Sequence, residues 1–259
     1  MFSWSGQARS FAILAVAFVV AAQMQSPISE AYSCTHPPYK VRIVSKSPLV
    51  VYLEDFLTPG EQVHLLDLAR GQFKHSAILD SSGTAAIHSV RTSQSTSVER
   101  SPVVRCIEQR ALDFQGFDTP STHLEPIQLV KYAATERYHF HTDWFTDDAY
   151  TTVAMGGNRA TSIFGYVKAE NVTGGGTNFP MLETPTDERW CEFIDCDEEY
   201  ERGVTFRPVE GNAVYWENMI GGRGDPRVLH AGLPVANGEK VGMNIWTREG
   251  PLPGDVRGE

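Results

Sequence analysis

Apolar and polar positions along the chain separate two helices from a series of short strands. Leu49-Val50-Val51-Tyr52-Leu53 is an unbroken apolar run of strand length. Thr58-Pro59-Gly60-Glu61 follows as a helix start, with Thr58 as N-cap, Pro59 at the first helical position and Glu61 closing a capping box. The helix it opens carries Leu65, Leu66, Leu68 and Ala69. Ser101-Pro102 opens a second helix that places Val103, Ile107, Ala111 and Phe114 along one face. From Pro126 onward, strands are expected over 127–132, 160–168, 203–207, 212–216 and 241–247. The turns Pro208-Val209-Glu210-Gly211 and Gly221-Gly222-Arg223-Gly224-Asp225-Pro226 separate some of them. Residues 81–97, rich in Ser, Thr and Gly, read as a loop. No internal repeat or heptad emerges. The pattern is α+β: a double-stranded β-helix, or jelly-roll, core buttressed by N-terminal helices, a double-sheet barrel whose mouth can hold a metal.

The ends of the chain divide it further. An apolar run of twelve residues over 11–22, preceded by Arg9, is shorter than the roughly 20 residues that span a bilayer. Residues 1–24 therefore read as a secretory signal peptide or, if uncleaved, a short membrane anchor. Residues 25–47 form an N-terminal extension, 48–248 one domain, and 249–259, with Pro251, Pro253 and several charges, a flexible tail. Cys34, Cys106, Cys191 and Cys196 all lie beyond the signal, and an even count in an exported chain implies two disulfides. Three pairings are open; one lets Cys191 and Cys196 close a small loop and Cys34 tie the extension to the second helix. Asn171-Val172-Thr173 is a glycosylation sequon if exposed.

Composition narrows the class. The chain has 259 residues, 41% of them hydrophobic, enough for one sizeable core. A net charge of -10 argues against a general phosphate-backbone binder, so no nucleic-acid partner is expected.

The chemistry concentrates at His141-Thr142-Asp143 and at His230, 89 residues further on, with Lys240 following His230 by ten. Two histidines and one carboxylate with open coordination positions point to a non-haem Fe(II) site. A structural zinc site would need a fourth ligand, usually a thiolate. His-x-Asp alone also fits an ordinary polar strand, so its companions decide the matter. They come in order: Leu129-Val130-Lys131-Tyr132, His141-Thr142-Asp143, Gly175-Gly176-Thr177-Asn178-Phe179-Pro180, then His230 and Lys240.

In that order and spacing, residues 48–246 resemble the prolyl 4-hydroxylase branch of the 2-oxoglutarate and Fe(II)-dependent dioxygenases. That family has one residue between the second glycine of the turn and the threonine, whereas Thr177 follows Gly176 directly. The resemblance implies that His141, Asp143 and His230 hold Fe(II), and that Lys240 pairs with the distal carboxylate of 2-oxoglutarate, assisted by the Tyr132 and Thr177 hydroxyls. A buried carboxylate needs such a counter-charge and donors. It further implies a substrate role for Arg159, which could equally be a surface residue at the start of a strand, and a place near the iron for Trp246, for which core packing is the stronger account. His139 matches no ligand position and is read as supporting or incidental. A segment at 81–97 can fold over substrate in that family.

The activity implied is hydroxylation of a peptidyl proline, with O2 as co-substrate, succinate and CO2 as co-products, and L-ascorbate as the reductant that restores the iron. The same chemistry on a free amino acid, small peptide or other natural product is the alternative. A jelly-roll binding protein without turnover is the non-enzymatic one. The expected setting is the secretory pathway, with membrane contact only if the N-terminal segment is retained.

Overall fold

The computed structural model describes Met1 and residues 32–76, 91–116, 118–197 and 203–257, together with the backbone of two short strands at 78–79 and 85–86. Two compact units, 1–32 and 33–259, divide the chain, and the second holds everything that follows. The expected signal or anchor at 1–24 lies outside the described residues apart from Met1. Among those described, no helix is long and apolar enough to cross a membrane.

The scaffold is a pair of antiparallel sheets. The larger has eight strands in the spatial order Lys40–Lys46, Leu49–Glu54, Ala213–Glu217, Arg159–Gly174, Val235–Arg248, Gln128–Tyr132, Gln94–Ser97 and Lys74–His75. The smaller has four, in the order Val204–Phe206, Thr177–Phe179, His230–Gly232 and Tyr138–His141. Alternation along each strand sorts side chains between two cores. On one face of the large sheet Val51, Leu53, Met243 and Ile245 pack with helix residues Leu65, Ile107 and Ala111. On the other, Val50, Tyr52, Val130, Phe164 and Trp216 pack with Phe179, Val204 and Phe206 of the small sheet. The run at 49–53 is apolar throughout because both of its faces are covered.

Helix α1 (Pro59–Ala69) begins on the expected capping box: Glu61 N donates to Thr58 Oγ1 at 3.2 Å and Thr58 N donates to Glu61 Oε2 at 2.9 Å. Such a cap contributes about 1 kcal/mol. Helix α2 (Pro102–Gln115) starts on Ser101, whose side chain accepts from Val104 N. Cys34 pairs with Cys106 on α2, and Cys191 with Cys196. Asn171 of the sequon is exposed, at φ 51°.

Three expectations need correction. Residues 40–46, read as extension, form a strand because alternating Val41 and Ile43 pair with Leu53 and Val51. Within 81–97, read as loop, Gln94–Ser97 is a strand held between Gln128–Tyr132 and the short edge strand Lys74–His75, a pairing that local composition does not signal. Residues 80–84 and 87–90 lie outside the described set. The tail at 249–257 does not hang free. Leu252 is buried and its N–H donates to Thr122 O at 2.9 Å, and a short helix α3 (Gly254–Arg257) buries Arg257.

Candidate active site

The small sheet brings the three proposed ligands together. His141 ends its strand and His230 begins the neighbouring one, and the two are register partners. Asp143 follows two residues after His141 and turns back toward both rings. Its Oδ1 lies 3.9 Å from His141 Nε2 and 3.9 Å from His230 Nε2. All three ligand atoms lie within 4.8 Å of one another. Each imidazole is fixed from behind by the backbone carbonyl two residues upstream: His141 Nδ1 lies 2.8 Å from His139 O, and His230 Nδ1 lies 3.0 Å from Val228 O. With Nδ1 donating there, each Nε2 presents its lone pair to the shared centre. His139 thus serves through its carbonyl, and its side chain is exposed. Tyr138 stacks on His141 at 3.6 Å between ring centroids, and Phe179 and Trp216 flank His230.

Electrostatics favour the ligand forms. Burial, with His230 beside it, pushes His141 down to about 3, so its ring is neutral at physiological pH. Burial opposes ionisation of Asp143, but His230, His141, Arg159 and the Ser162 hydroxyl together outweigh it and hold the carboxyl below its ordinary value. Two imidazole nitrogens and one carboxylate oxygen are a donor set that suits Fe(II).

A cavity of about 230 Å³ opens onto the triad, and Tyr132, Thr177, Arg159 and Trp246 line it. Lys240 stands behind this wall, fully buried, opposite Tyr132 in the register of two paired strands. Its Nζ donates to Gly175 O and lies 4.7 Å from the Tyr132 ring centroid and 5.7 Å from that of Phe164. Thr177 Oγ1 accepts from Tyr166 O–H at 2.9 Å. Gly174 and Gly175, at φ 70° and 67°, make the turn that brings this carbonyl and Thr177 past the lysine. A Cβ on Gly174 would meet Pro234 O at 2.6 Å. Counted from Gly174, the turn reads Gly174-Gly175-Gly176-Thr177-Asn178-Phe179-Pro180, with the spacing that the count from Gly175 lacks.

Arg159 is no surface residue. Its Nε and Nη2 donate to Glu125 Oε1 and Oε2, both at 2.8 Å, and its guanidinium carbon sits 3.6 Å over the Trp246 ring. Arg248 Nε donates to the same Glu125 at 2.6 Å. Burial resists ionisation of Glu125, yet the two guanidiniums hold its carboxyl below its ordinary value. Trp246 therefore packs and lines the cavity at once.

Glu125, Ser162 and Asn218 are site residues that the sequence reading missed. Ser162 Oγ donates to Asp143 Oδ2 at 2.6 Å, and Asn218 Nδ2 donates to Ser162 Oγ at 2.8 Å. Each comes from a separate segment, without motif spacing to the triad. The one available signal was polarity inside apolar strands, as at Ser162 beside Ile163 and Phe164.

A jelly roll carrying a two-histidine, one-carboxylate site and a buried lysine defines the non-haem iron oxygenases that use 2-oxoglutarate. Comparison with known proteins agrees. The profile of the 2OG-Fe(II) oxygenase superfamily matches residues 127–248. Prolyl 4-hydroxylase 1 of Arabidopsis thaliana is 33% identical over 216 residues, covering 81% of this chain and 72% of that protein. Probable prolyl 4-hydroxylase 4 of the same plant is 33% identical over 238 residues, covering 88% and 77%. Among solved structures, the viral collagen prolyl hydroxylase of Paramecium Bursaria Chlorella virus-1 aligns with a TM-score of 0.54 at 22% identity, over 77% of this chain and 95% of that one. At that identity the likeness speaks for the fold. The chain belongs to the prolyl 4-hydroxylase branch of the 2OG-Fe(II) oxygenase superfamily.

Proposed function

We propose that this dioxygenase hydroxylates prolyl residues of a peptide, consuming 2-oxoglutarate and O2 and releasing succinate and CO2. The observation that carries the reading is the convergence of His141, Asp143 and His230 on one centre, in a chain a third identical to plant prolyl 4-hydroxylases over most of its length. His141 and His230 would hold Fe(II) through Nε2 and Asp143 through Oδ1. Bound there, the iron supplies the redox chemistry that couples decarboxylation of the keto acid to C–H hydroxylation. The chain's own part is placement. The His139 and Val228 carbonyls fix the ring tautomers. Lys240, Tyr132 and Thr177 would receive the distal carboxylate of 2-oxoglutarate, which gives the lysine the counter-charge that none of the described residues supplies. Arg159, pinned by Glu125 and sitting over the Trp246 ring, offers a rigid cation at the cavity wall to a carbonyl of the peptide.

The disulfides fit an oxidising compartment. Residues 1–24 would direct the domain at 48–248 into the secretory pathway, where ascorbate would keep the iron reduced. The test is succinate release by Fe(II)-loaded protein given 2-oxoglutarate and ascorbate, with and without proline-rich peptides. Peptide-stimulated turnover with one oxygen gained on proline is expected, and His141→Ala or Asp143→Ala should abolish it without unfolding the domain. Stimulation by free amino acids but by no peptide would reassign the substrate to small molecules.

A further inference from the structure

Asp143 divides its two oxygens between two tasks. Oδ1 faces both histidine Nε2 atoms, while Oδ2 accepts from Ser162 Oγ at 2.6 Å. The line continues inward: Asn218 Nδ2 donates to Ser162 Oγ at 2.8 Å, and Trp216 Nε1 donates to Asn218 Oδ1 at 2.9 Å. Asn218 is itself anchored, its N–H donating to Ala160 O at 2.8 Å, and Ser162 and Trp216 are register partners on adjacent strands. Exposure is 1% at Trp216, 0% at Asn218 and 1% at Ser162, so the whole line is shielded from bulk solvent.

The polarity of this line is dictated by chemistry. An indole N–H can only donate, so the Asn218 amide must turn its oxygen toward Trp216 and its NH2 toward Ser162. The Ser162 oxygen is then occupied as an acceptor, and its single proton is directed at Asp143. The result is a charge-assisted hydrogen bond on the carboxylate oxygen that faces away from the histidines.

We propose that Ser162, set by Asn218 and Trp216, is the positioning residue that restricts Asp143 to coordination through Oδ1 alone. An uncapped carboxylate can rotate and chelate with both oxygens, closing a coordination position that co-substrates need. This inference rests on the reading of His141, Asp143 and His230 as the metal site. Removal of a hydrogen-bond partner one shell out from a metal typically costs 10–100-fold in affinity.

The test is titration of the metal-free full-length protein with Co(II), whose visible absorption reports both affinity and coordination, alongside the melting temperature of each metal-free variant. Ser162→Thr and Ser162→Val are the decisive pair, since they share a shape and differ by the hydroxyl. Ser162→Val and Ser162→Ala should bind Co(II) about tenfold or more weakly, with altered band intensity, while Ser162→Thr stays close to wild type. His141→Ala is the control for the site. If Ser162→Val binds like Ser162→Thr with the same spectrum while His141→Ala loses the metal, the positioning role is overturned and the site stands. If His141→Ala binds Co(II) as wild type does, the site assignment fails and takes this proposal with it.

Discussion

Lys240 shows what burial does to a single charged side chain. It is wholly buried, and among the described residues no carboxylate neutralises it; Nζ meets only the Gly175 carbonyl and the faces of Tyr132 and Phe164. Burial pushes it down to about 7. A carboxylate arriving beside it favours the charged form, so binding above that pH requires proton uptake. Affinity for 2-oxoglutarate should therefore be flat with respect to this group below about pH 7. As pH rises beyond that it should fall, approaching about tenfold per unit. Calorimetry between pH 6 and 9, in buffers of different ionisation enthalpy, would read the uptake directly. Lys240→Ala should weaken binding and erase the pH dependence; an affinity in Lys240→Ala equal to wild type at every pH would remove Lys240 from the ligand set, whereas a flat wild-type profile would mean that the lysine stays charged throughout. The proposed metal ligand His141 obeys the same logic in reverse: burial and His230 keep it neutral, the form that can bind a metal.

At the scale of the element, Glu61 joins a cap to a core contact. It closes the capping box of α1, and its carboxylate also receives Arg110 of α2, with Nη2 to Oε1 at 2.6 Å and Nη1 to Oε2 at 2.9 Å. Arg110 donates a further bond to Phe56 O at 2.7 Å, and both side chains are buried. Glu61→Ala would strand the guanidinium between the helices. The expected loss is about 3–5 kcal/mol, well beyond that of a cap alone, measurable as a lower urea midpoint. A loss of only about 1 kcal/mol would mean that the cap is all Glu61 contributes. The cap was legible in the sequence because its signal fits within four residues. The ion pair was not, since Arg110 lies 49 positions away. The same division holds elsewhere. The long strands and the triad carry periodicity or spacing. Thr177–Phe179, read as part of a turn, and His230–Gly232, not read as a strand, are three residues each and are defined by their partners across the sheet. Glu125, Ser162 and Asn218 meet near Asp143 only after the sheets have formed.

Across the whole molecule, the large sheet separates stability from chemistry. On its last long strand Met243 and Ile245 face the helices while Asn244 and Trp246 face the cavity, so one strand serves both layers through alternation alone. The Cys34–Cys106 disulfide belongs to the helix layer, where it ties the chain ahead of the first strand to α2 across a sequence separation of 72. In the chain-entropy account, closing a loop of that size stabilises the fold by about 4 kcal/mol. No residue of that layer lines the triad's cavity. Replacing both cysteines by serine should therefore lower the thermal and urea midpoints strongly, while Co(II) and 2-oxoglutarate affinities measured well below the transition stay at wild-type values. Cys191–Cys196, separated by only 5 positions, should cost far less when removed. If the double serine variant at Cys34 and Cys106 instead lost ligand affinity in proportion to its stability, the two faces of the sheet would be mechanically coupled. The helices would then count as part of the active site's support rather than as a separate layer.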